Sequence, residues 1–131
     1  LEFTAGNNQI LTFTNPYPEN WIRFIVIIFK ESSFSKPQLS NYNFDKQNDF
    51  LPILEKIEEL FSIKIGKFDG RTDYNYLPKT GENRLFTYII EGAFEIQNRL
   101  LEKGEGLYVK DLQIMEMEAL SSEAMALLIA Y

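Results

Sequence analysis

The chain has 131 residues, 45% of them hydrophobic, with 13 Lys and Arg against 19 Asp and Glu and neither histidine nor cysteine. This length suffices for one compact domain that buries roughly two thirds of its unfolded surface, but not for two complete ones. A formal charge of −6 argues against sequence-independent nucleic-acid binding, which needs Lys and Arg to displace counterions from phosphates, and the absence of Cys excludes disulfides, thiolate zinc sites and a thiol nucleophile.

The opening, "LEFTAGNNQILTFT", starts in what reads as the middle of a strand and lacks an initiator Met, so residue 1 is expected to be a cut edge and the chain a fragment or truncated product. Ile10, Leu11, Thr12, Phe13 and Thr14, and then residues 21–29, are rich in β-branched and aromatic residues and predict two strands. Between them "NPYPEN" reads as a loop, because Pro16 and Pro18 lack an N–H and restrict the residue before them. Within residues 21–29 the run "FIVIIF" (Phe24 to Phe29) falls far short of the roughly 20 residues of a membrane span. With no cleavable signal at the start either, the expectation is a soluble, cytoplasmic protein without membrane contact.

Residues 30–50 are polar and read as a connector, with a short strand at Tyr42 to Phe44, and this is the best candidate boundary. In "DFLPILEKIEELFSIKIGKF" the apolar Ile53, Leu54, Ile57 and Leu60 fall at helical spacing and predict a short helical turn over 53–60. Phe61, Ile63 and Ile65 alternate and predict a strand over 61–68. "DGRTD" (Asp69 to Asp73) and "PKTGEN" read as turns, and strands are expected at 84–91, 93–97, 106–110, 112–119 and 124–130. Short strands punctuated by turns describe an antiparallel sandwich or barrel.

Few side chains suggest chemistry. Lys64, Lys67 and Arg71 cluster but have acidic neighbours; Asp69 and Asp73, and Glu91 and Glu95, lie in turns that lack the buried setting an acid–base pair needs. Ser121 and Ser122 in "SSEAM" have no histidine to activate them, and "GEG" precedes no helix that would complete a phosphate cradle. Phe86, Tyr88, Phe94 and Tyr108 are expected in core or cross-strand packing, with a ligand-lined interior as the alternative. "EKIEEL" reads as a solvated acidic face. No catalytic, cofactor-binding or metal-ligating residue is assigned.

The stretch "YIIEGAFEIQNRLLEKGEGLYV", with "IGKFDGRTDYNYLPKTGENRLFTY" before it and "MEALSSEAMALLIAY" after it, resembles the cupin superfamily, and specifically the C-terminal half of pirin-like bicupins, the group that includes quercetin 2,3-dioxygenase-like proteins. "FTAGNNQILTFTNPYPENWIRFIVIIF" resembles the last strands of an N-terminal cupin. The resemblance implies an all-β fold with one short helix: a cupin-like antiparallel β-barrel, or jelly roll, over residues 45–131, preceded by residues 1–44 as terminal strands and connector. In that family a metal sits in the N-terminal barrel on histidines and a glutamate. The match puts Leu11 and Phe13 at two of those positions. General cupin spacing in the second barrel puts Leu85 at the glutamate, Thr80 and its neighbours at the histidines of the first motif, and Leu107 and Asp111 at the second motif's His and Asn. Hydrocarbon and a lone Asp do not assemble a transition-metal site.

The resulting expectation is a non-catalytic, metal-free module, without cofactor, that has a structural or protein-interaction role. The alternatives are a support half of a metal-dependent dioxygenase and a barrel that binds a small ligand. The apolar "WIRFIVIIF" strand is expected to be covered, either within the chain or by pairing in a homodimer through residues 1–44. Another protein partner is left open.

Overall fold

The computed structural model describes residues 12–28, 41–44, 48–56 and 61–131. The chain divides into two units, residues 1–41 and 42–131. In the first, Pro18 to Asn20 form a turn, the Asn15 side-chain oxygen accepts from the Tyr17 N–H at 3.0 Å, and the Asn15 amide donates to the Asn20 carbonyl at 2.6 Å. Phe13 stacks on Phe24 with ring centroids 5.2 Å apart. The loop at "NPYPEN" is thus present, but residues 12–14 and 21–28 are not strands. Strand propensity registers the fit of a side chain to a pleated, half-buried surface, and here no ladder supplies that surface. Residues 10, 11 and 29 lie outside the described residues.

The described residues of the second unit carry nine strands: β1 (Asp49–Lys56), β2 (Phe61–Phe68), β3 (Thr72–Tyr76), β4 (Arg84–Glu91), β5 (Ala93–Ile96), β6 (Arg99–Glu102), β7 (Gly106–Lys110), β8 (Met115–Ala119) and β9 (Ala124–Ala130). They form a five-stranded sheet in the order β1-β2-β9-β4-β7 and a four-stranded sheet in the order β3-β8-β5-β6, antiparallel throughout. Among the described residues no helix occurs, and so none is long and apolar enough to cross a membrane.

The helical turn expected at 53–60 is replaced, over its described part, by the end of β1. A register shift between Pro52 and Leu54 leaves Ile53 as a bulged residue against β2. The bulge breaks the period of two, and Ile53 and Leu54 in succession then imitate helical spacing. Pro52 is tolerated because β1 is an edge strand. Tyr42 to Phe44 form no strand, although the Tyr42 hydroxyl donates to the Ile53 carbonyl at 2.8 Å. The strands expected at 93–97 and 112–119 end at Ile96 and begin at Met115. Gln97 and Asn98 both take positive φ and make the two-residue β5–β6 turn.

The core lies between the two sheets. Leu85 and Ile89 of β4, Ala124, Ala126, Leu128 and Ala130 of β9, Phe94 and Ile96 of β5, and Met115, Met117 and Ala119 of β8 supply most of it. An aromatic group closes one side: Phe68 meets Phe50, Tyr74 and Phe94 edge to face at 5.3 to 5.7 Å. Ile63, Leu127 and Ile129 are also buried, but outside that core, on the opposite face of the five-stranded sheet, where Ile129 pairs with both Ile63 and Phe86. This sheet is apolar on both faces, which explains why "AMALLIA" shows no alternation.

The outer face of the other sheet is polar. Glu118 stands directly opposite Asp73 on one side and Glu95 on the other, and Arg71 pairs with the central Glu118 at 3.5 Å. Like charges facing each other across a ladder oppose pairing by a few tenths of a kcal/mol or more. Glu95→Lys is therefore expected to raise stability by about 0.5 kcal/mol. Thermal unfolding at low and high salt checks this, with the gain shrinking as salt rises.

Candidate functional site

The alternation of β2 puts Ser62, Lys64, Gly66 and Phe68 on the barrel side of the sheet, and Ile63 and Ile65 on the other side. Two polar side chains therefore enter the interior beside Phe68. Facing them is Tyr76, the last residue of β3. After it the chain leaves the sheet, turns at Thr80 and Gly81, and brings Glu82 back to the same place before β4 begins. Ser62, Lys64, Tyr76 and Glu82 are exposed by only 2%, 8%, 5% and 5%.

The four form one network. The Lys64 ammonium donates to the Tyr76 hydroxyl at 2.7 Å, which donates onward to Glu82 Oε2 at 2.8 Å. The Ser62 hydroxyl donates to Glu82 Oε1 at 3.1 Å, and the Lys79 N–H to Oε2 at 2.8 Å. Lys64 Nζ also lies 4.5 Å from the centroid of the Tyr76 ring. Beside this network the Tyr74 hydroxyl donates to Asp49 Oδ1 at 3.1 Å, and at the surface Lys79 pairs with Glu55 at 3.1 Å. No buried side-chain nitrogen or oxygen among the described residues lacks a partner.

Burial acts on each of these titratable groups. It lowers the Lys64 ammonium, an effect that Glu82 opposes and Lys79 reinforces. Burial, with the Glu82 carboxylate as neighbour, pushes the Tyr76 phenol well above its usual range, and burial with Asp49 pushes Tyr74 up to about 12. Burial would also raise Glu82, but the Lys79 N–H, the Tyr76 hydroxyl, the Lys64 charge and the Ser62 hydroxyl together outweigh it and hold the carboxyl below its ordinary value.

The residues singled out in the sequence fall elsewhere. Of the basic trio, Lys64 turns inward, Lys67 pairs with Glu123, and Arg71 faces Glu118, so they do not make one patch. Both Glu91 oxygens accept from Lys103 at 2.8 and 3.0 Å, and Asp69 bonds Asn48. The Ser121 hydroxyl accepts from the Ala93 N–H at 3.0 Å, a turn contact. Phe94 lies in the core, Phe86 and Tyr88 are half-buried on the far face of β4, and Tyr108 is exposed. Of "EKIEEL", only Glu55 and the Lys56 backbone are described.

The positions that correspond to cupin ligands are similarly dispersed. Leu85 is 1% exposed inside the core, and Leu107 packs against it from β7. Thr80 is exposed in its turn. Asp111 is exposed at φ 56°, with its N–H donating to the Asn83 carbonyl at 2.7 Å. Phe13 is stacked on Phe24, and Leu11 lies outside the described residues. Among the described residues no three Asp or Glu side chains gather where a metal ion would sit. The donor set does not fit a transition metal.

No family model and no curated protein matches the sequence. Solved structures do match by shape. Escherichia coli YhhW, also described as a bacterial pirin in complex with nickel(II), aligns with TM-score 0.50 and 17% identity over 53% of this chain and 29–30% of that one. The cupin domain of an XRE-family transcriptional regulator from Enterobacter cloacae aligns with TM-score 0.53 and 18% identity over 63% of this chain and 95% of the other. An RmlC-like cupin protein from Desulfovibrio desulfuricans gives 0.51 and 18% over 73% and 94%. These likenesses show the fold, a cupin jelly roll. The chain spans less than a third of YhhW.

The network makes stability depend on pH. Glu82 has a lower pKa folded than unfolded, so its contribution is present above the unfolded carboxylate value of about 4.3 and is lost as pH falls through the folded value. Tyr76 is raised, so its contribution holds up to about pH 10 and is lost above it, while the lowered Lys64 works in the opposite sense there. Glu82→Gln is expected to cost about 1 to 3 kcal/mol at pH 7. Urea unfolding of both forms from pH 7 to pH 3 is expected to show a flatter acid limb in the variant.

Proposed function

We propose that this chain is a metal-free, non-catalytic, pirin-like cupin module with a structural or protein-interaction role. The observation that carries this reading is the pair Leu85 and Leu107. At positions where cupin spacing calls for ligating oxygen and nitrogen, both side chains are hydrocarbon and pack with the core. A neighbour's bound nickel(II) belongs to that neighbour.

Support for the interaction role comes from the first unit. Trp21 is 99% exposed, and Phe24, Ile25, Val26 and Ile28 are exposed along a stretch that belongs to no strand. Such a segment presents apolar side chains to solvent together, which invites pairing with another chain. The partner in this reading is a second copy, joined through residues 1–44.

One preparation tests both parts. Light scattering after size exclusion is expected to give the mass of a dimer, and metal analysis of the same peak no stoichiometric iron, nickel, copper or manganese after incubation with each. Retained equimolar metal defeats the metal-free reading. A monomer at every concentration defeats the pairing.

A further inference from the structure

We propose that Ser62, Lys64 and Tyr76 form a receptor for the carboxylate of a small organic acid, closed in this structure by the chain's own Glu82. The three groups come from strands of both sheets, β2 and β3, and each is more than nine-tenths buried. Their common acceptor is the Glu82 carboxylate, one oxygen taking the Ser62 hydroxyl at 3.1 Å and the other the Tyr76 hydroxyl at 2.8 Å, with the Lys64 ammonium behind that hydroxyl at 2.7 Å. Two hydroxyls on separate oxygens and a nearby cation are what a free carboxylate needs when it leaves water.

The receptor is built on strands, but its occupant is not. Glu82 rides on the 77–83 connection, where Leu77, Lys79, Thr80, Gly81 and Asn83 are exposed and Gly81 takes φ 95°. Among the described residues the other donor to the Glu82 carboxylate, the Lys79 N–H, belongs to the same connection. If the connection swings out, the barrel keeps two hydroxyls and a buried ammonium whose charge has lost its counterpart. Glu55 and Asp49 add negative charge nearby, and Lys79 adds positive charge. A neutral ligand leaves the ammonium uncompensated, whereas an acid restores the balance. This goes beyond the metal-free reading and is tested in the presence of a chelator, so the two fail separately.

The test removes the built-in occupant and supplies a free one. In Glu82→Ala, sodium acetate is expected to raise the melting temperature by several degrees over sodium chloride at equal ionic strength. Wild type and Glu82→Ala/Lys64→Met are expected to show no such difference. Equal effects of the two salts on Glu82→Ala, or a rescue that survives in the double variant, overturn the proposal. Should Glu82→Ala fail to fold, Glu82→Ser carries the same comparison of sodium acetate with sodium chloride, and equal effects of the two salts on it overturn the proposal.

Discussion

The interior of a small barrel has to be filled, because apolar walls that meet no partner lose both dispersion contacts and the gain from leaving water. In this chain the filling is hydrocarbon. Leu85, Ile89 and Leu128 from one sheet meet Phe94, Ile96 and Met115 from the other, and the small Ala124, Ala126 and Ala130 let the sheets approach. Thr87 is the polar exception on β4, and its hydroxyl lies 3.5 Å from the Met115 sulfur.

Apart from Thr87, the buried polar side chains among the described residues satisfy one another. Lys64, Tyr76, Ser62 and Glu82 tie β2, β3 and the 77–83 connection together, and burying any one of them without the others would carry a desolvation penalty larger than a single hydrogen bond returns. The tie therefore acts as a unit. It fixes where the connection lies relative to the strands, at the cost of a stability that depends on pH at both extremes.

How much of this was legible depended on whether local pattern and tertiary environment agreed. β4, β7 and β9 have the bounds that apolar runs and flanking turns indicate, since turn chemistry and burial act in concert there. β1 was obscured by the bulge at Ile53, and β3 by "TDYNY", whose Asp and Asn read as turn residues until Tyr74 and Tyr76 are seen to face the core. β6 is too short to stand out beyond its turn. Lys64 was the least legible. Ile63 and Ile65 flank it and appear to be the inward face, yet they are the outward one, and only the apolar second face of the sheet makes that arrangement stable. Glu82 gave no local signal, because the side chains that bond it, Tyr76 and Ser62, lie 6 and 20 residues away. The strands expected at 10–14 and 21–29 failed where described because propensity without a ladder does not make a sheet.

The central claim, that the barrel is a packed core rather than a vessel, rests most directly on the cost of emptying part of it. Urea unfolding of Leu85→Ala measures that cost. A closely packed interior predicts a loss of about 3 to 5 kcal/mol, made up of lost transfer energy and a residual cavity. A loss well below about 1 kcal/mol would mean that Leu85 lines space already open to solvent or ligand, and would contradict the account.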